Sequence, residues 1–555
     1  MSNRLFGTLL ILSVSLTFLS LHLPLFDTDE PRYAETARMM LKTGDFVVPT
    51  FNQEPRFAKP VFFYWLIAAS YLFFGVNELA ARLPSVVAGL GLAALMASFA
   101  YPIGGFPLAG LTALCLLVSP GFQLFSHAAI TDMVLTFLMS LAVISLWRGL
   151  RSLRSEPFLV AGMAMGLAVL TKGPTGFVLP LLIPLLGAVL ADGGAATLSN
   201  LVAARKSLFK ASFLFLLTTL PWYIAVTIQT DGAFLRQFLF KENIARFAGW
   251  SPPGMPFFGH IVYFPAVLFV FSAPWGILSV TEMRWRVGQG GDRDRYQILL
   301  TVWALLPIVL FTFSRTKNPQ YALLSLPALI SLAALWLNQG GSFIPRGIRL
   351  CLLVTLVFLA LTVSCLPFAI NLVPFWKERW ISEGIVDLGS GIWWIVFLLL
   401  LGAVWVAWVH HRWLMAVGLL IISLFSLAIA LASVAPRVTQ YRQEPIRWWA
   451  RSVSQQSGFG LVVVFRRDLS SAVFYSRRKV LRIDDPDQLA RLAQGPSRLD
   501  VLVRKTDAVP LLRQVSLYPV GEKANYLWLT NTNLLAQEER MREANRQSNG
   551  DPNRS

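Results

Sequence analysis

From Pro60 to Pro436 the chain is almost unbroken apolar sequence, interrupted only by short charged loops. A stretch of this kind constrains the fold more than any motif does. In a bilayer each backbone N–H and C=O must be satisfied within its own segment, which selects helices for apolar runs of this length. A spanning helix needs about 20 apolar residues, within a range of about 17–25. On that basis spans are expected at 6–26, 79–100, 105–120, 123–147, 157–171, 174–192, 208–228, 261–281, 296–313, 319–336, 348–370, 391–409 and 413–434. That makes about 13, of which the third, fifth and sixth are short for a crossing. Only 14% of the residues are charged, against about 25% in soluble domains. The sequence is that of a polytopic membrane protein.

The net charge of +18 could suggest a nucleic-acid partner. The basic residues lie mostly in short loops between apolar runs, however, which is the positive-inside pattern, and no nucleic acid is expected. With the N-terminus cytoplasmic, one side collects Arg148, Arg151 and Arg154, then Arg205 and Lys206, then Arg284, Arg286, Arg293 and Arg295, then Arg346 and Arg349, and Arg412. The opposite side collects 27–78, 172–175, 229–260, 314–318 and 371–390, where the chemistry is less ordinary. Cys115, Cys351 and Cys365 fall in apolar runs without metal-ligand spacing and read as core residues. The run Leu5–Phe26 has no small-residue cleavage site and reads as a retained first helix. Pro60–Gly75 is short and aromatic and reads as an interfacial helix.

After Pro436 apolar runs shorten to strand length: Leu461–Phe465, Val480–Ile483, Leu499–Val503 and Tyr526–Thr530. Helix-like stretches alternate with them at Glu444–Ser454, Leu469–Arg477 and Pro486–Ala493. The expected architecture is an all-α polytopic membrane domain over 1–435 with a small α/β extracytoplasmic domain over 436–534. Residues 535–555 are polar and read as a disordered tail. No Gly-rich phosphate loop is present, which argues against a nucleotide-using enzyme.

The charged island Asp27–Pro60 stands out against this background. It holds Asp27, Asp29, Glu30 and Glu35 together with Arg32, Arg38, Lys42, Arg56 and Lys59. It reads either as a solvated interfacial segment or as a membrane-surface site where carboxylates and cations handle a phosphate. Asp29, Arg32 and Tyr33 form D-x-x-R-Y at the start of a helix-like run with Pro31 in its first turn, so the three can face one pocket. Arg38 and Lys42 read as interfacial charges. Lys59 can hold a lipid phosphate or simply snorkel. Asp132 interrupts an apolar helix, and an intramembrane carboxylate is costly enough to suggest function. His127 is either its partner or a loop residue. Lys172, Glu242, Arg246, Arg315, Lys317 and Tyr321 fall on the same expected face.

These residues belong to an ordered series: DEPRYAETARMMLKTGDFVVP, F-x-K-P, FGVNELAARLPS, ITDM, LTKGP, E-N-x-x-R-F and P-Q-Y-A-L. The series resembles the ArnT-like glycosyltransferases of the GT-C superfamily, to which the dolichyl-phosphate-mannose protein mannosyltransferases also belong. The resemblance implies an inverting transfer of a sugar from a polyprenyl-phosphate carrier, such as undecaprenyl phosphate, to an envelope acceptor such as lipid A. It implies a multi-pass enzyme of the bacterial inner membrane, acting as a monomer, with its C-terminal domain periplasmic. Carried over by motif, Asp29 and Asp132 take catalytic positions. Arg32, Tyr33, Lys59, Lys172, Glu242, Arg246 and Tyr321 take carrier and sugar positions. Two departures weaken a divalent-metal role: Ala58 where the family has Glu, and Asn243 where it has His. No other cofactor is implied. Protein hydroxyls remain alternative acceptors, as in protein O-mannosyltransferases. A lipid-linked-sugar transporter or flippase is the other class, but it should show inverted repeats and paired broken helices, which the sequence lacks.

Overall fold

The computed structural model describes residues 3–245, 257–284, 291–314, 316–339, 412–429, 432, 435–455 and 460–532. Arg246, Arg286, Arg315, Arg346, Arg349, Cys351, Cys365, the spans at 348–370 and 391–409, the loop 371–390 and the tail 535–555 lie outside them. The chain divides into two units, one of Leu23–Glu35, Thr50–Glu54 and Arg437–Ser555, the other of the remaining residues.

The larger unit is helical. Its helices begin with α1 (Asn3–Leu16), the C-terminal half of α2 (Asp29–Thr43), α3 (Phe62–Phe74), α4 (Glu78–Leu117), α5 (Pro120–Ser126) and α6 (Thr131–Ser152). They continue with α7 (Ser155–Lys172), α8 (Thr175–Asp192), α9 (Gly194–Ala203) and α10 (Arg205–Gln229). Helices Asp292–Thr312 and Leu326–Asn338 complete the packed part. The chain is a multi-pass membrane protein: among the described residues six helices are long and apolar enough to cross a bilayer, or seven with one bent pair.

Several expected spans are broken where hydropathy shows no break. The run 6–26 is helical only to Leu16 and continues as turns with Ser20 at positive φ. The run 123–147 splits at 127–130, so Asp132 lies in the first turn of α6 and not inside a helix. The run 261–281 bends by 110° between Phe258–Phe271 and Gly276–Glu282, with Pro274 in the break. The run 319–336 opens as a 3-10 turn, Pro319–Ser325. Conversely, 79–100 and 105–117 run on as α4, yet Gly104 and Gly105 inside it are non-helical and separate two helical segments. A backbone break costs few apolar residues, so mean hydropathy is blind to it.

Close helix packing rests on glycine. A Cβ at Gly162 of α7 would stand 2.3 Å from the Ala211 carbonyl oxygen of α10, so the two backbones meet there. The outer side of α10 carries Phe209, Phe213, Leu217, Ile224 and Ile228, all exposed, as a lipid-facing helix requires.

The smaller unit contains a five-stranded sheet in the spatial order Val480–Ile483, Leu461–Phe465, Leu499–Arg504, Tyr526–Thr530 and Tyr518–Lys523. Its strands are β3 (Leu461–Phe465), β4 (Val480–Ile483), β5 (Leu499–Arg504), β6 (Tyr518–Lys523) and β7 (Tyr526–Thr530). β3 pairs parallel with β4 and β5, and β7 runs antiparallel to β5 and β6. Central parallel strands are covered on both faces, which is why β3 reads as a continuous apolar run. Val463, Val501, Val503, Leu489, Leu511 and Leu529 form its core. Short chain segments from the N-terminal region belong to the same unit. The hairpin β1 (Thr50–Phe51) and β2 (Glu54–Pro55) turns through Asn52 and Gln53, both at positive φ. The Asn52 amide then donates to Val480 O and accepts from Val480 N–H, each at 2.9 Å, in the manner of an added strand residue.

Candidate active site

In the larger unit three elements bring Asp132, Lys172 and Tyr321 together. Asp132 occupies the first turn of α6, where the helix dipole favours an anion, and Lys172 the last turn of α7, where it favours a cation. The Lys172 ammonium pairs with Oδ1 of Asp132, and both side chains are buried, at 9% and 6% exposure. The same ammonium stands 5.1 Å from the centroid of the Tyr321 ring, a cation–π distance. Tyr321 stacks on Phe311 at 4.2 Å, which fixes its plane. Lys317 donates to the Thr312 carbonyl oxygen at 2.6 Å and stands over the Phe264 ring. Lys317 is thereby held to the end of the preceding helix.

A chain of aromatic contacts ties the remaining positions of this unit to Lys172. Phe57, two residues before Lys59, meets Phe234 edge-on at 5.7 Å, and Phe234 stacks on Phe238 at 5.2 Å. Phe238 in turn lies against Gly173, where an added Cβ would meet its ring at 2.6 Å. Gly173 has φ of +90°, so a side chain there is excluded twice over. Asn243 donates to Phe238 O at 2.7 Å and borders Gly173, and Glu242 precedes it in a π-helix, Arg236–Ile244. Lys59 and Glu242 are half-buried. Among the described residues no cluster of three or more His, Cys, Asp or Glu side chains forms a metal site. Ala58 offers no donor to a metal. His127 is not the partner of Asp132: its ring nitrogens lie 2.7 Å and 3.0 Å from the carbonyl oxygens of Gln123 and Leu16.

The smaller unit holds the other candidates and sorts the four acids of the charged island. Glu30 is buried and accepts from Phe26 N–H at 2.8 Å, and Glu35 is buried as well. Asp27 accepts from Ser471 N–H at 2.7 Å and from the Ser471 hydroxyl. Asp27 is half-buried by surface area, yet protein surrounds its carboxyl closely. Burial pushes its pKa from the usual carboxylate value up to about 6, against the two Ser471 hydrogen bonds, which lower it. Asp29, with its side chain 59% exposed, is the acid left open to solvent. It opens α2, and Arg32 lies one turn on, at 3.9 Å. Tyr33 is buried.

The guanidinium of Arg32 has partners that sequence reasoning missed. It bonds Asp468 at 2.5 Å and Ser470 Oγ at 2.9 Å, from a segment more than four hundred residues away. The only local signal was the polar run Asp468-Leu469-Ser470-Ser471 between strand and helix.

A family model described as dolichyl-phosphate-mannose-protein mannosyltransferase matches residues 9–231. The undecaprenyl phosphate-alpha-4-amino-4-deoxy-L-arabinose arabinosyl transferase of Pseudomonas aeruginosa is 30% identical over 423 residues, covering 70% of this chain and 72% of its own length. The crystal structure of ArnT from Cupriavidus metallidurans bound to undecaprenyl phosphate shares the fold with a TM-score of 0.78. It is 20% identical, over 96% of this chain and 99% of that one. The same protein in its apo state gives 0.75, at 21% identity over 95% and 98% of the two chains.

Proposed function

Because the chain belongs to the ArnT-like family of GT-C glycosyltransferases, we propose that it transfers a sugar from undecaprenyl phosphate to an envelope acceptor such as lipid A. The observation that carries this reading is the buried Asp132–Lys172 pair, with the Tyr321 ring beside the Lys172 ammonium. A buried ion pair contributes little net stability compared with apolar residues of similar volume. Its presence is accounted for if a phosphate-bearing ligand draws on the Lys172 charge.

In the reaction the bond between the anomeric carbon and the carrier phosphate breaks, and its electron pair leaves on the phosphate. The family's motifs assign Lys59, Lys172 and Arg32 to the carrier phosphate, and cations of this kind stabilise the charge that develops there. The acceptor oxygen attacks from the opposite face, which inverts the configuration. A hydroxyl acceptor gives its proton to Asp29, the exposed acid beside Arg32. A phosphate acceptor is already nucleophilic, and Asp29 then orients groups. The family's motifs assign Glu242, Arg246 and Tyr33 to the sugar and carrier, and Ala58 and Asn243 weaken a role for a divalent metal.

The enzyme is placed in the bacterial inner membrane with the N-terminus cytoplasmic, acting as a monomer, with residues 436–534 and the site periplasmic. The alternation of basic loops supports this orientation. Cysteines introduced at Asp294 and Gln488 should label from opposite sides; labelling from one side refutes it. Mass spectrometry of lipid A and envelope glycans from a deletion strain should show loss of one sugar-bearing species. An unchanged profile, together with no transfer from the undecaprenyl-linked aminopentose by the reconstituted enzyme, would overturn the proposal.

A further inference from the structure

A basic cavity of about 530 Å³ lies at the far end of α6 from Asp132. Arg148 follows Asp132 by sixteen residues on one helix, which at about 1.5 Å per residue separates them by roughly 24 Å along its axis. That is most of the thickness of a hydrocarbon core, about 30 Å. The cavity is lined by Arg148, Arg151, Arg154 and Arg295 together with Phe99, Trp147 and Ile103, and Arg151 stands 4.9 Å from the centroid of the Trp147 ring.

The arginines are unequally engaged. Arg151 and Arg295 share the Asp192 carboxylate, at 3.1 Å and 2.9 Å, and Arg295 also lies 3.6 Å from Asp292. Arg148 stands over the Phe99 ring at 5.8 Å. Among the described residues neither Arg148 nor Arg154 is paired with a carboxylate. Positive charge therefore remains in excess after both aspartates are counted.

We infer that this cavity binds the headgroup of an anionic phospholipid, with Arg148 and Arg154 holding the phosphate. The guanidinium fork matches phosphate oxygens, and the apolar side chains of the same lining, Phe99, Trp147 and Ile103, receive the glycerol and first acyl carbons. A free phosphate would leave those apolar side chains uncovered, and arginines that merely snorkel need no concave surface to do so. Basic pockets between spanning helices are suited to such headgroups. The site is separate from the sugar-transfer site and does not depend on it.

The test uses the full-length protein, delipidated in a neutral detergent, with lipid added back and occupancy read by native mass spectrometry. Phosphatidylglycerol should bind in preference to phosphatidylcholine. Arg148→Ala with Arg154→Ala should weaken phosphatidylglycerol roughly 10–30-fold, about 5-fold for each charge removed. Millimolar inorganic phosphate should not displace the lipid. Equal occupancy by the two lipids, or unchanged phosphatidylglycerol binding in the double variant, would overturn the inference. Displacement by inorganic phosphate would do the same, by showing a free-anion site only. Both arginines are exposed, so the variant should keep the wild-type melting temperature. If it does not, Arg154→Glu alone must give the same loss of lipid.

Discussion

Replacing Lys172 by Met separates structure from function at the buried pair. Met keeps the length and apolar stem but leaves Asp132 charged, 6% exposed and without its ammonium. Breaking one side of a buried pair costs about 3–5 kcal/mol. Asp132 keeps one compensation, the positive end of α6, worth about 1 kcal/mol at such a position. The net destabilisation should be about 2–4 kcal/mol. Lys172→Met combined with Asp132→Asn removes both charges and should recover most of that loss, because a neutral amide is far cheaper to bury. The cycle is measured on full-length protein in detergent by denaturant titration, with sugar transfer assayed on each variant. The coupling energy should exceed about 1.5 kcal/mol. Transfer should stay low in the double variant although stability returns, because Lys172 no longer reaches the carrier. Additive destabilisation would refute the pairing argument. Recovery of both stability and transfer would show the pair to be purely structural.

Asp29→Asn should lower transfer on the order of 10²–10⁴-fold with a hydroxyl acceptor, with expression unchanged. Asp27→Asn and Glu30→Gln should affect transfer less, since both acids are committed to internal hydrogen bonds; an essential Asp27 with a dispensable Asp29 would reverse the assignment. Lys59→Ala should weaken carrier binding in a titration, and Lys59→Arg need not restore it; unchanged binding would leave Lys59 as a snorkelling residue. Asp27 also predicts a pH dependence. Its carboxyl is raised from 3.8 to about 6 in the folded chain, so its contribution is fully present below pH 3.8 and is lost as pH rises through 6. The loss is at most about 3 kcal/mol and is reduced by solvent at a half-buried site. Denaturation midpoints between pH 4 and 7 should fall less steeply in Asp27→Asn, and parallel curves would dismiss the effect.

Hydropathy alone showed a multi-pass helical membrane protein, because burying an apolar segment depends on its own composition and length, but it did not show where helices such as those of 6–26 and 261–281 break. The same logic reached the strands Leu461–Phe465 and Val480–Ile483 at the boundaries they have in the structure. It did not reach β6, Tyr518–Lys523, whose sequence YPVGEK is polar, nor the helix Lys505–Leu512, because neither carries a clear period. Asp132 and Lys172 were visible as charges in apolar surroundings, but forty residues separate them, and no periodicity says that they meet over Tyr321. The four acids of the charged island look alike in sequence. What distinguishes them is burial and partners: Ser471 on Asp27, the Phe26 N–H on Glu30, solvent on Asp29. The Asp468 contact with Arg32 is likewise set by tertiary folding. Local pattern encodes what a segment buries, whereas pairing across hundreds of residues depends on where packing delivers each side chain.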